Sequence, residues 1–168
     1  LTGSLASLPA VTNLELYYTS ATTNLADGGS TPVNQGRFST VIPADCVFTL
    51  TGFTSTGLFS GIPVAETNAG TTVDYYYTTI TNPVARVQFE VQNPSTNLIL
   101  IARCGSIPNF NSGLYDYISQ KPVTNNHVSR VRINTSPVGL SPGEWFLGVV
   151  NQSGTPATYT ILTTQSAD

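Results

Sequence analysis

The sequence predicts an all-β chain, an antiparallel β-sandwich of jelly-roll-like kind with extra amino-terminal strands. Three observations predict it. β-branched and aromatic residues are interleaved with Thr, Ser and Asn, a composition that favours strands. No stretch repeats its apolar residues at the three- and four-residue spacing of a helix. Short alternating segments recur instead, divided by Gly, Pro, Asn and Ser.

Taken in order, Val11 to Thr19 reads as a strand with the apolar set Val11, Leu14, Leu16 and Tyr18. A polar stretch follows, ending in the turn-like Asp27-Gly28-Gly29. Ser30 to Phe53 can be laid loosely on Ser136 to Thr164, as the worn tail of a preceding repeat or as a chance match in a Thr-rich chain. Further strands are expected near Val73 to Ile80, Val84 to Val91, Asn97 to Arg103, Val128 to Ile133, Trp145 to Val150 and Thr158 to Thr163. In Val84 to Val91, Val87, Phe89 and Val91 alternate with Arg86, Gln88 and Glu90, which gives one apolar and one wet face. Asn97 to Arg103 differs. Leu98, Leu100 and Ala102 point one way and Ile99 and Ile101 the other, so both faces are apolar, as in the middle of a sandwich. The expected core is Val87, Phe89, Leu98, Leu100, Val131, Trp145, Val149 and Ile161.

The central strand and the Gly-, Pro- and Asn-rich loop after it, NLILIARCGSIPNFNSGLYDYIS from Asn97 to Ser119, resemble the bacterial pre-peptidase C-terminal domain. Leu58 to Tyr77, Ser141 to Val150 and Ala157 to Thr163 are similar, in order and spacing, to that family's opening strands, penultimate turn and strand, and last strand. The resemblance covers roughly residues 57 to 164 and implies an extracellular sandwich there, leaving residues 1 to 56 as a strand segment, a partial repeat or an exchanged strand. Asn97 stands where the family often carries acidic residues, so no metal site is carried over.

Only 9% of the 168 residues are charged, against about 25% in a typical globular protein, and the net charge is −3. The Lys and Arg residues form no cluster, which argues against nucleic acid as a partner. No apolar run reaches the roughly 18 residues of a membrane span. The chain contains no methionine, from which removal of a leader from an exported protein is expected. Cys46 and Cys104 are expected to pair in an oxidising compartment, since one opens a strand and the other ends the central one; two separate buried thiols are the alternative. Closing a loop of that size constrains the unfolded chain by roughly 4 kcal/mol in the entropy model.

Little in the sequence points to catalysis. His127 is the sole histidine, in a polar loop after Asn125 and Asn126, so neither a Ser-His-Asp set nor a multi-histidine metal site is expected from it. Gly57 to Gly61, GLFSG, has the wrong spacing for a nucleophile elbow and precedes no helix. Asp74, Asp116 and Glu144 are isolated carboxylates. No cofactor is expected; calcium stays open, with Asp27, Asp116 and neighbouring carbonyls as oxygen donors. Tyr75, Tyr77, Tyr115 and Tyr117 are the candidate binding platform, with core packing as the alternative for each. Two sequons, Asn134-Thr135-Ser136 and Asn151-Gln152-Ser153, leave glycosylation open.

Two functional expectations follow from different classes. The first is a non-catalytic extracellular structural or surface protein that self-assembles into a filament or array by strand addition through Val11 to Thr19, with other copies of itself as partners. The second is a targeting module for an extracellular polymer, polysaccharide or collagen-like, as the family resemblance implies.

Overall fold

The computed structural model describes residues 1–5, 11–81, 84–119, 129–133 and 138–167. Among these there is no helix, and the paired strands run antiparallel. No helix among the described residues is therefore long and apolar enough to cross a membrane. The chain divides into two compact units, Leu1–Ser55 and Thr56–Asp168.

In the amino-terminal unit, β1 (Thr2–Ser4) pairs with β4 (Arg37–Ser39), while β2 (Asn13–Thr19) lies between β3 (Ala26–Pro32) and β5 (Val47–Phe53). Leu14 and Leu16 of β2 are buried, whereas Val11 and Tyr18 are half-buried. Val11 to Thr19, expected to pair outside its own unit, is paired within that unit in this single chain. Its ladder to β5 runs from Asn13 to Thr19 and its ladder to β3 occupies the other edge, so β2 has no edge left for a second copy.

The Asp27-Gly28-Gly29 stretch is likewise not the turn that its composition suggests, because it lies inside β3. Gly28 packs directly beneath Leu16, and a Cβ there would come within 2.6 Å of a Leu16 methyl carbon. Gly29 takes a positive φ of 86° beside the register shift between Glu15 and Tyr17, and its amide donates to Asp27 Oδ1 at 2.8 Å. Turn chemistry here serves a bulged strand.

The carboxy-terminal unit is the sandwich. One sheet is ordered β11 (Tyr117–Ile118), β10 (Ile99–Cys104), β13 (Gly143–Val150), β8 (Val73–Ile80), β6 (Ser55–Gly57). The other is ordered β12 (Ser129–Ile133), β9 (Arg86–Gln92), β14 (Ala157–Ser166), β7 (Val64–Asn68). The core between them takes Tyr76, Leu98, Leu100, Trp145, Leu147 and Val149 from one side and Val87, Phe89, Val131 and Ile161 from the other. Every expected core residue is buried. At roughly 1.5–3 kcal/mol per fully buried large apolar side chain, this interior is the main favourable term for the unit. Ile101 of β10 is also fully buried, in keeping with a strand apolar on both faces. The wet face expected of β9 is only partly wet, since Glu90 is buried; β9 is flanked on both sides, by β12 and β14.

Candidate functional site

The tyrosines do not form a single platform. Alternation along β8 sends Tyr76 into the core and Tyr75 and Tyr77 to the opposite face, where both are half-buried. Tyr77 packs against Phe146 of the adjoining strand, with ring centroids 6.3 Å apart. Tyr115 is half-buried in the loop before β11. Tyr117 is a core residue, which corrects its place in the candidate platform: its ring lies 6.2 Å from Trp145 and its hydroxyl donates to the Val138 carbonyl at 2.5 Å. Burial pushes the Tyr117 hydroxyl above its ordinary pKa. A phenol in an apolar layer needs one acceptor, and a loop carbonyl supplies it.

Across the sandwich the hydroxyls of Tyr76 and Tyr159 are 2.5 Å apart, and Tyr159 donates to Asp74 Oδ2 at 2.7 Å. Burial drives both phenols well above the ordinary tyrosine range, with the bond to Asp74 adding to the rise at Tyr159. Phenols held neutral in this way serve as hydrogen-bonding links between sheets rather than as proton donors near neutral pH.

Cys46, in the amino-terminal unit, and Cys104, in the carboxy-terminal one, are each free thiols. Each thiol is engaged within its own unit: Cys46 Sγ donates to the Pro43 carbonyl at 3.1 Å, and Cys104 Sγ lies 3.4 Å from Ser141 Oγ. Asp27 accepts from Gly29, as above, and Asp116 Oδ2 accepts the Cys104 amide at 2.8 Å, so each candidate calcium carboxylate holds backbone. No group of three His, Cys, Asp or Glu side chains converges among the described residues. His127 and the Asn134 sequon lie outside the described residues.

Two surface features stand out, and neither was expected from the sequence as a binding surface. The first is β5, VFTLTGF, whose Val47 is 78% and Phe48 41% exposed on an edge strand. The second is the loop after β6, where Phe59 is 72% and Ile62 55% exposed beside a hollow of about 230 Å³. Phe48 was visible in the sequence as part of an uncharged β-rich segment, but only pairing reveals which strand ends a sheet.

No family model matches the chain, and no curated protein matches it. Among solved structures, the chain is similar to the pre-peptidase C-terminal domain of collagenase from Bacillus anthracis, with 14% sequence identity and a TM-score of 0.49. The match covers 66% of this chain and 94% of that one.

Proposed function

We propose that this chain is a non-catalytic extracellular structural or surface protein whose copies associate by strand addition, with β5 as the joining edge. The observation that carries the reading is the exposure of Val47 and Phe48 on a seven-residue edge strand without charge or proline. Unpaired edges template association, and folded chains blunt them with charge, proline, bulges or brevity. Other outer strands carry such devices: β3 has Asp27, a bulge and Pro32, β7 has Glu66, and β6 and β11 span three and two residues. β5 has none. Two copies of β5 laid antiparallel oppose no like charges, because the strand holds no ionisable side chain. The very low charge of the whole chain favours close packing of copies for the same reason.

Pairing of β5 with β5 closes a two-fold pair, whereas pairing of β5 with β3 of the next copy is head-to-tail and extends into a filament or array. Light scattering and electron microscopy of the full chain over a concentration series distinguish the two. The expected result is concentration-dependent association that is abolished by Phe48→Lys, with the circular dichroism of the strands unchanged. A chain that stays monomeric throughout, or a Phe48→Lys variant that associates as before, overturns the reading. Growth that stops at a pair overturns the filament.

A further inference from the structure

We propose that the hollow between the 58–62 loop and the end of β8 binds a single neutral sugar ring of an oligosaccharide or polysaccharide, with Phe59 and Tyr77 contacting its face. This site lies within the sandwich unit and is independent of the β5 edge. The loop is pinned on several sides. Leu58 N donates to the Tyr77 carbonyl at 2.8 Å, Thr78 Oγ1 donates to the Leu58 carbonyl at 3.1 Å, and Gly61 N donates to the Thr163 carbonyl at 2.8 Å. The Gln165 amide N–H donates to Ser60 Oγ at 2.9 Å, and the Ile62 N–H closes the turn on the Phe59 carbonyl at 3.1 Å. Gly61 supplies the positive φ of 78° that the turn requires.

A loop fixed in this way has its side chains placed before any ligand arrives, yet it holds Phe59 and Ile62 in water while Leu58 next to them is buried. Gly57 completes the wall. A Cβ at this position would sit 3.1 Å from the Tyr77 hydroxyl, so glycine lets the phenol lie against the backbone.

The chemistry of the lining selects the ligand. The polar side chains around the hollow are the hydroxyls of Ser60, Tyr77, Thr78 and Thr79 and the carboxamide of Gln165, without a carboxylate, ammonium or guanidinium. An anion or cation entering it would leave water and find no opposite charge. A sugar ring fits instead: its C–H face covers an aromatic ring and its hydroxyls exchange hydrogen bonds with neutral donors and acceptors. The Gln165 carboxamide is already oriented, since Nε2 donates to Thr78 Oγ1 and to the Thr79 carbonyl at 3.3 Å each. A space of about 230 Å³ suits one ring of a polymer rather than a length of extended peptide.

The test is a titration of the isotope-labelled full chain with cellohexaose, chitohexaose, maltohexaose and xylohexaose, followed by amide and aromatic NMR shifts. At least one sugar is expected to move resonances of residues 58–62, Tyr77 and Gln165. Phe59→Ala, at an exposed position, is expected to weaken that binding by about tenfold. Phe48→Lys is expected to leave it intact, so failure of self-association and failure of sugar binding read out separately. Absence of shifts with all of these sugars, shifts confined to other residues, or full binding by Phe59→Ala overturns the proposal. So does a collagen-like Pro-Hyp-Gly peptide that moves these resonances when the sugars do not.

Discussion

The Tyr76 hydroxyl donates its proton to the hydroxyl of Tyr159, because the one proton of Tyr159 is already committed to Asp74 Oδ2. The two phenols come from β8 and β14, so the chain of hydrogen bonds ties one sheet of the sandwich to the other. Removing the middle member is expected to cost most. Tyr159→Phe leaves the buried Tyr76 hydroxyl without an acceptor and removes the donor to Asp74, a loss of about 1–3 kcal/mol. Tyr76→Phe leaves the Tyr159–Asp74 bond intact and is expected to cost about 0.5–1.5 kcal/mol. Urea unfolding of both variants checks the order, and a Tyr76→Phe chain less stable than Tyr159→Phe would reverse the assignment of donor and acceptor.

The same pair sets the alkaline limit. Burial raises the pKa of Tyr76 and of Tyr159 above the unfolded value of about 10. The folded state therefore holds protons that the unfolded state releases above that pH, so the stabilisation is complete below about pH 10 and is lost as pH climbs toward the folded-state values. Ionisation of Tyr76 and Tyr159, read as tyrosinate absorbance, is expected only together with loss of the strand signal. Full ionisation of all eight tyrosines with the strands intact would contradict the burial argument.

Much of the sandwich was legible because its signals are local. Alternation placed Leu98, just before β10, and Leu100 and Ala102 within it on the core face and separated Tyr76 from Tyr75 and Tyr77 on β8. What depends on which strands become neighbours was not legible. The apolar set of β2 looks the same whether it faces a second copy or lies between β3 and β5, and the edge position of β5 follows only from that arrangement. Composition misled where a residue type has two physical uses. Gly28 reads as a turn former but serves close packing under Leu16, and Tyr117 follows a loop-like stretch yet reaches back to the Val138 carbonyl. The hollow beside Phe59 was invisible for a related reason, since it assembles the β6–β7 loop, β8 and the end of β14.

The free thiols give a direct chemical expectation. Cys46 and Cys104 each have a hydrogen-bonding partner in their own unit, Pro43 and Ser141 respectively. An alkylating reagent applied to the denatured, unreduced protein is expected to label both. Its intact mass before labelling is expected to be the same with and without reductant. A chain that resists labelling until reduced would restore the disulfide expected from the sequence.

Asn151 lies in a sequon, yet it is 1% exposed and both ends of its carboxamide are hydrogen-bonded. Nδ2 donates to the Thr155 carbonyl at 2.9 Å, while Oδ1 accepts from the Ser153 amide at 2.9 Å and from Ser153 Oγ at 2.7 Å. This carboxamide closes the turn between β13 and β14. The turn in turn fits closely against Gly70, where a Cβ would meet the Thr155 carbonyl at 3.0 Å and φ is 91°. A glycan on Nδ2 needs open space, which the folded turn denies. Asn151 is therefore expected to be unmodified in folded protein from a glycosylating host, and Asn151→Ala to lose about 0.5–1.5 kcal/mol because it strips partners from part-buried backbone groups. Exposed Gln152→Ala is the control and is expected to change stability by less than about 0.5 kcal/mol. Peptide mass mapping and paired denaturant curves read both effects, and a glycopeptide at Asn151 from protein that is folded and protease-resistant would show that this turn is not closed as described.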